Sequence, residues 1–146
     1  MTLIHGSGIF MDGKGILITG PSGSGKSDLA LRLMALGAEL VGDDYVILSH
    51  TLSHTGQGRV MMRPSDTIAG RMEVRGVGIV NVDFRADATV DMVVNLVGDV
   101  ACLERLPEKK TTLLDGVRLP CLDLFAFEVS APEKLRAALT MLSGNS

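Results

Sequence analysis

The 146-residue sequence contains no tryptophan, one tyrosine and four phenylalanines, so aromatic side chains make up only 3% of the chain. The core must therefore be aliphatic, and the scarcity of aromatic residues argues against base stacking as a mode of nucleic-acid binding. The 14 basic and 17 acidic residues give a net charge of -3, which lacks the basic footprint of a polyanion-binding surface. We expect no nucleic-acid partner.

Cysteine and long apolar segments are also scarce. Cys102 and Cys121 are far apart and form no C-x-x-C pair, which favours two reduced thiols over a disulfide or a zinc site. The first residues show no basic segment followed by an apolar one, and no apolar run approaches the roughly 20 residues of a membrane span. We therefore expect a cytoplasmic protein without membrane contact, and the length predicts one domain over residues 1–146.

Short apolar segments separated by glycine and aspartate turns predict an α/β fold. One helix is predicted after a glycine-rich loop and ends at Gly37, and another follows the Ser130–Glu133 capping box. Residues 50–59 are expected to form a hairpin loop, and residues 65–72 a loop or one helical turn. Two helices are too few for a regular β-α-β repeat, so the sheet is predicted to be mixed. Strands are predicted at residues 2–10, 15–20, 38–41, 45–48, 60–62, 77–82, 90–97, 112–114 and 118–127.

The glycine-rich loop between the second predicted strand and the first helix is the strongest motif. It matches G-x-x-x-x-G-K-[S/T] in full, with the residues Gly20, Pro21, Ser22, Gly23, Ser24, Gly25, Lys26 and Ser27. Its glycines allow successive backbone N–H groups to point at a phosphate, and the helix N-terminus adds partial positive charge. Lys26 is expected to contact the β- and γ-phosphates and Ser27 to ligate Mg²⁺. The pattern predicts nucleotide or pyrophosphate binding, against the alternative of a flexible turn in a chain with 17 glycines.

A pair of carboxylates follows the next predicted strand. Asp43 and Asp44 come directly after the apolar run at residues 38–41 and a glycine. In phosphate-loop proteins a carboxylate at this place holds Mg²⁺ or its water, and a second one can accept the proton of an attacking hydroxyl. The pair is therefore a candidate for catalysis, and the alternative is an aspartate-rich turn between two strands.

A second glycine-rich segment, residues 71–81, combines charged side chains with a predicted strand. Glu73 is a candidate metal ligand, and Arg75 is a candidate phosphate contact. The alternative is a loop that leads into a strand, with Gly76 and Gly78 forming a bend or a bulge. The residues by themselves do not decide between the two.

Three segments occur in this order along the chain: IHGSGI, GPSGSGKSDLALRLMALGAELVGDD and MEVRGVGIVNV. Together they resemble the catalytic domain of HPr kinase/phosphorylase, and the resemblance extends from Ile4 to Leu119. That enzyme phosphorylates a serine of HPr, the phosphocarrier protein of the bacterial sugar phosphotransferase system. The phosphate loop alone is unspecific, whereas the phosphate loop, the Asp43–Asp44 pair and the stretch EVRGVGI at residues 73–79 in this order are specific to the family.

The resemblance implies which residues bind the phosphoryl donor. Residues 20–27 would hold ATP or pyrophosphate, with Ser27 and Glu73 as ligands of Mg²⁺. Glu73 lies in the family's signature segment, which here consists of Met72, Glu73, Val74, Arg75, Gly76, Val77, Gly78, Ile79, Val80 and Asn81. The implied partner is an HPr-type phosphocarrier protein.

The resemblance also implies catalytic roles. Asp44 would take the proton of the acceptor serine in the forward reaction and return it in the reverse reaction, with Asp43 as its acidic neighbour. His5 would be an active-site histidine near the nucleotide, and Arg105 would stabilise the transferring phosphoryl group. Without the resemblance, His5 would be interpreted as a structural strand histidine and Arg105 as a solvated loop charge.

For the fold, the resemblance implies a mixed, curved sheet with helices packed mainly on one side, as in phosphoenolpyruvate carboxykinase, and for the assembly a homohexamer. The sequence departs from the full-length enzymes in two places. It begins at the catalytic part, without their N-terminal domain, and residues 123–130, DLFAFEVS, replace a proline- and arginine-rich loop. Because those residues contain no arginine to hold inorganic phosphate, kinase activity is expected more strongly than the reverse phosphorylase activity. The alternatives are a small-molecule kinase and a nucleotide-binding regulator without catalysis.

Overall fold

The computed structural model describes residues 1–144. Within these residues it contains two α-helices, α1 (Lys26–Ala35) and α2 (Ala131–Gly144), and one 3-10 turn at Val100–Cys102. Neither helix is long and apolar enough to cross a membrane. The strands are β1 (Thr2–His5), β2 (Ser7–Met11), β3 (Lys14–Thr19), β4 (Glu39–Gly42), β5 (Tyr45–Leu52), β6 (Gly58–Pro64), β7 (Arg71–Val74), β8 (Gly78–Asn81), β9 (Ala88–Thr89), β10 (Met92–Leu96), β11 (Lys110–Leu114) and β12 (Val117–Leu124).

The central sheet has six strands in the order β11-β12-β10-β3-β2-β4. Strand β10 pairs in parallel with β12 and β3, whereas β2 is antiparallel to both β3 and β4. Strand β4 therefore runs in the same direction as β3, β10 and β12. As a result, the segments that follow these four strands emerge at one edge of the sheet, which is the arrangement that brings ligand-binding loops together in α/β folds. The mixed sheet predicted from the sequence is confirmed.

Both helices cover the same face of the central sheet. Leu29 and Leu33 of α1 and Leu135 and Leu139 of α2 are buried in one cluster with strand residues such as Ile18. The apolar spacing of the two helices explains this, because residues three and four apart lie on one side of a helix. The predicted packing of helices on one side is confirmed.

A second sheet covers the opposite face. It has four antiparallel strands in the order β1-β5-β6-β9. Its residues Val46 and Met62 are buried against Leu17 and Val93 of the central sheet. Strands β7 and β8 form a separate ribbon, anchored to the helical side by Met72, which is 1% exposed. The structure therefore has three layers, with the central sheet between the two helices and the second sheet.

The predicted strand at residues 2–10 is wrong, because the chain changes sheets at Gly6. Strand β1 pairs with β5 in the second sheet, and β2 pairs with β3 in the central sheet. The N–H of Gly6 donates to the carbonyl of Asp44 at 2.9 Å, and a Cβ at Gly6 would lie 2.8 Å from the carbonyl oxygen of Ile18. A glycine therefore allows the backbone to pass between the two sheets at this point.

Other predicted boundaries also change. The predicted loop at residues 50–59 is wrong over much of its length, because β5 continues to Leu52 and β6 begins at Gly58. These arms are polar because much of their surface is exposed, and exposed strand residues carry no apolar pattern. Strand β7 lies partly within the predicted loop at residues 65–72, β8 is shorter than predicted, and β12 ends at Leu124 instead of residue 127.

Gly15 marks a close approach between β3 and the segment that precedes β10. A Cβ at Gly15 would lie 1.8 Å from the carbonyl oxygen of Thr89. We expect Gly15→Ala to lower the free energy of unfolding by about 1–3 kcal/mol, as overpacking does, measured by urea denaturation. Gly98→Ala is the matched control, because a Cβ there meets no atom within 4 Å, and it should change the value by less than about 0.5 kcal/mol. Equal effects of the two substitutions would contradict this account.

Candidate active site

The phosphate loop, residues 20–27, connects the end of β3 to the start of α1. Gly23 and Gly25 have φ angles of 83° and 98°, which side chains with a Cβ rarely adopt. Gly20 is also confined, because a Cβ there would lie 2.7 Å from Ser24 Oγ and 3.0 Å from Leu96 Cβ. The backbone therefore favours glycine at Gly20 and Gly25, which the motif specifies, and also at Gly23, which it does not. The N–H groups of the loop lie at the positive end of α1.

Two polar groups inside the loop fit a phosphate. Lys26 is only 7% exposed, and its Nζ donates to the carbonyls of Gly20 at 2.8 Å and Pro21 at 3.0 Å. Ser24 Oγ is buried and has no hydrogen-bond partner within residues 1–144. A buried hydroxyl without a partner costs about 1–3 kcal/mol, so a bound anion that accepts a hydrogen bond from it would recover that energy. The loop therefore offers a cation and a free donor to a phosphate group.

Asp43 is the buried carboxylate of the site, with 4% exposure. Its Oδ1 accepts two hydrogen bonds, from Ser27 Oγ at 2.7 Å and from Ser7 Oγ at 3.1 Å. Ser27 lies in the first turn of α1, and Ser7 begins β2 and is fully buried. The carboxylate is thus fixed next to the hydroxyl that the motif assigns to a metal ion. These oxygen atoms are the ligands that Mg²⁺ prefers, so the residues present fit that ion.

Asp44 has the opposite environment. Its side chain is 61% exposed and its Oδ1 lies 3.0 Å from His5 Nε2. Its φ is 68°, a left-handed conformation that aspartate tolerates better than most residues. The ring of His5 also packs against Tyr45, with centroids 5.1 Å apart. The two consecutive carboxylates therefore point to different places, one into the fold towards Ser27 and the other to solvent, where an acceptor hydroxyl could reach it.

Glu73, Arg75 and Arg105 lie on other elements. Glu73 is exposed on β7, opposite Ile79 of β8, and Arg75 is exposed at the turn of the same ribbon. Arg105 is exposed in the loop between the 3-10 turn and β11. Across the described chain, the side chains of these three residues form no hydrogen bond or ion pair with the phosphate loop or the aspartates. Their roles in metal binding and phosphoryl stabilisation stay predictions.

No motif in the sequence points to Ser7 or Arg32 as a residue of the site. Ser7 stands in the IHGSGI segment, but only the pairing of β2 with β4 brings it to Asp43. Arg32 of α1 donates to the carbonyls of Ala126, Glu128 and Val129, so it holds the segment that follows β12. In the sequence, the segment after β12 stands out only by its lack of arginine. That feature does not reveal that Arg32 of α1 binds its carbonyls.

Lys110, Asp123 and Cys121 lie on β11 and β12, at the end of the central sheet opposite β4. The hydrogen bond from Lys110 Nζ to Asp123 Oδ2, 2.6 Å long, raises the pKa of Lys110. Burial raises the pKa of Cys121, so it remains a protonated thiol at neutral pH. Both cysteines are free.

Comparisons with known proteins show the family of the chain. A family model described as the HPr serine kinase C-terminal domain matches residues 1–124. A relative named HPr kinase/phosphorylase from Chlorobium phaeobacteroides is 34% identical over 130 residues, which cover 82% of this chain and 37% of the relative. One from Treponema pallidum with the same name is 36% identical over 132 residues, covering 83% and 40%. The chain thus spans about two fifths of the length of these relatives.

A solved structure extends the likeness to the fold. It is described as the Hpr(Ser) kinase/phosphatase from Coxiella burnetii, with a TM-score of 0.80 and 21% identity. The match covers 99% of this chain and 94% of that one. At this identity the likeness concerns the fold alone, whereas the family model covers most of the sequence, including the phosphate loop, both aspartates and the signature segment. The chain therefore belongs to the family of HPr serine kinase C-terminal domains.

Proposed function

We propose that this protein is an ATP- and Mg²⁺-dependent kinase that phosphorylates a serine of an HPr-type phosphocarrier protein. The observation that carries the proposal is the division of labour between the two aspartates beside a complete phosphate loop. Asp43 is buried and bonded to Ser27, and Asp44 is exposed beside His5. A nucleotide-binding regulator without catalysis has no need for the exposed carboxylate. The names of the relatives support the same activity and acceptor.

The donor side of the proposed reaction uses the phosphate loop. Its N–H groups and Lys26 would bind the nucleotide phosphates, and Ser24 Oγ would gain the partner that it lacks. Ser27 and Asp43 would hold Mg²⁺, with Glu73 as a further proposed ligand. The ion would supply positive charge to the phosphate oxygens. Pyrophosphate is an alternative donor, because the contacts described for the loop involve phosphate groups alone.

The acceptor side uses Asp44. In the proposed transfer, Asp44 accepts the proton of the acceptor serine while the serine oxygen forms a bond to the γ-phosphorus. The bond from phosphorus to the bridging oxygen breaks, and ADP leaves with its electron pair. His5 holds the carboxylate of Asp44 in place, and Arg105 is proposed to stabilise the charge on the transferring group.

The reverse reaction, in which phosphate removes the phosphoryl group from phosphoserine, is proposed as the minor activity. The segment after β12 has no arginine, and Arg32, which reaches it, donates to backbone carbonyls. The segment therefore offers no cation to hold inorganic phosphate.

We also propose one catalytic domain over residues 1–146, a homohexameric assembly and a cytoplasmic location. The exposed Val77 and Ile79 of the ribbon support subunit contacts, and the two free thiols support a reducing compartment.

The decisive experiment is a transfer assay with Mg²⁺-ATP and purified HPr-type carriers, read by mass spectrometry as one added phosphate on a carrier serine. We expect transfer by the wild type and a loss of at least about 100-fold for Asp44→Asn, because the general base is removed. Asp115→Asn is the matched control, because Asp115 also has a positive φ, of 48°, but lies in the turn between β11 and β12. It should retain the wild-type rate.

Two other outcomes would contradict the proposed function or the proposed mechanism. Tight ATP binding without transfer to any carrier would favour a regulator or a small-molecule kinase. Equal transfer by Asp44→Asn and wild type would remove Asp44 from the mechanism. Lys26→Ala should abolish nucleotide binding in the same preparation, which separates a loss of binding from a loss of chemistry.

The bond between Ser7 and Asp43 generates a separate prediction. Because Ser7 fixes a carboxylate next to the proposed Mg²⁺ ligand Ser27, Ser7→Ala should raise the Mg²⁺ concentration for half-maximal ATP binding about tenfold, the lower end of the effect of second-layer partners on metal affinity. Calorimetric titration of ATP at several Mg²⁺ concentrations measures this without any acceptor. Ser53→Ala, at the exposed tip of the β5–β6 hairpin, is the control. An unchanged Mg²⁺ requirement in Ser7→Ala would contradict the assignment.

A further inference from the structure

We infer that Phe127 is the surface on which the base of the bound nucleotide stacks. The inference rests on the nucleotide-binding part of the proposed function. Phe127 is 55% exposed, although it belongs to a chain with only four phenylalanines. It lies directly against the phosphate loop, because a Cβ at Gly25 would be 3.0 Å from its Cζ and 3.1 Å from its Cε1. An exposed aromatic ring therefore adjoins the last glycine before α1.

The backbone around Phe127 is held in place. Arg32 donates to the carbonyl of Ala126 and, at 2.7 Å, to the carbonyl of Glu128, so one guanidinium binds the residues on both sides of Phe127. Ala126 is fully buried, and Lys134 binds the carboxylate of Glu128 at 2.8 and 2.9 Å. The segment therefore presents its exposed ring from a fixed backbone, which lowers the entropy that a ligand must overcome on binding.

A neighbouring ring also fixes the orientation of Phe127. Phe125 meets it edge to face, with centroids 5.8 Å apart and planes at 76°. This is a favourable geometry for two aromatic rings, and one edge of Phe127 is occupied by it. The ring nevertheless keeps more than half of its surface exposed. Such a surface suits a flat, apolar and polarisable group, which in ATP is the adenine.

The opposite side of the phosphate loop is unsuitable for the base. There the buried Asp43 bonds to Ser27 and the exposed Asp44 lies beside His5, and the acceptor serine must reach Asp44. On that side the ring of Tyr45 packs against His5 with centroids 5.1 Å apart, and Tyr45 is 39% exposed, against 55% for Phe127. If the phosphates of a nucleotide occupy the loop, the more exposed aromatic ring available to its base is therefore Phe127, on the other side of the loop.

The test compares ATP with inorganic tripolyphosphate, which carries the phosphates without the base. Both ligands are titrated calorimetrically, with Mg²⁺, into the wild type and into Phe127→Ala. We expect Phe127→Ala to weaken ATP binding about fivefold to tenfold, in the range for stacking of one base on an aromatic side chain. Tripolyphosphate binding should change less than about twofold, since its contacts are with the loop. Phe127→Tyr should restore ATP binding, because it keeps the ring.

A fluorescence experiment gives an independent readout. The chain has no tryptophan, so Phe127→Trp introduces a single reporter at the inferred contact. We expect its emission to be quenched by ATP and unchanged by tripolyphosphate. Quenching by both ligands alike would overturn the inference, because the base would then not be the group that reaches the ring.

Three calorimetric results would also overturn it. Phe127→Ala binding ATP as the wild type does, or losing both ligands equally, would show that the ring does not recognise the base. Selective loss of ATP binding in Tyr45→Ala would place the base on the aspartate side. Failure of the wild type to bind either ligand would overturn the proposed nucleotide-binding function itself, and is distinct because it appears before any substitution.

Discussion

The site depends on one carboxylate oxygen. Asp43 Oδ1 accepts hydrogen bonds from Ser27 at the start of α1 and from Ser7 at the start of β2. Three segments that are distant along the chain are thereby joined at a buried point, where an unpaired carboxylate would be costly. Hydrogen bonds to a charged group are stronger than neutral ones, so this oxygen fixes the phosphate loop relative to the neighbouring strands. The exposed side chain of Asp44, the proposed general base, takes no part in joining these segments.

The change of sheets at Gly6 makes this arrangement possible. Because β1 leaves the central sheet, His5 lies with β5 in the second sheet while Ser7 lies in the first. The two residues on either side of Gly6 therefore reach different aspartates, His5 the exposed Asp44 and Ser7 the buried Asp43. A continuous strand would place residues two apart on the same face of one sheet. The break thus assigns opposite environments to two adjacent carboxylates.

Local patterns predicted the central part of the site, and long-range pairing decided the rest. The phosphate loop and α1 are encoded within one short segment, so glycine spacing and helical periodicity were sufficient to find them. The pairing of Ser7 with Asp43 and of Arg32 with the segment after β12 requires the folded sheet, and no local pattern indicates it. The polar arms of the β5–β6 hairpin were predicted as a loop because exposed strands lack an apolar pattern. The roles proposed for Glu73 and Arg105 depend on the family resemblance, since the described residues form no contact that would assign them.

The two sides of the phosphate loop have different chemistry, and this follows from the order of the strands. On the side of β2 and β4 the sheet edge carries the aspartates and His5, which are suited to a hydroxyl that must lose a proton. On the side of β12 the chain turns back over α1 through a segment that has no arginine, and Arg32 from the helix binds its carbonyls instead. The guanidinium of Arg32 thus holds the backbone of this segment, and the segment presents the ring of Phe127 to solvent. With the proposed phosphate site in the middle, the proposed proton acceptor on one side and an aromatic ring on the other, the nucleotide donor and the hydroxyl acceptor of the proposed reaction would approach from opposite sides.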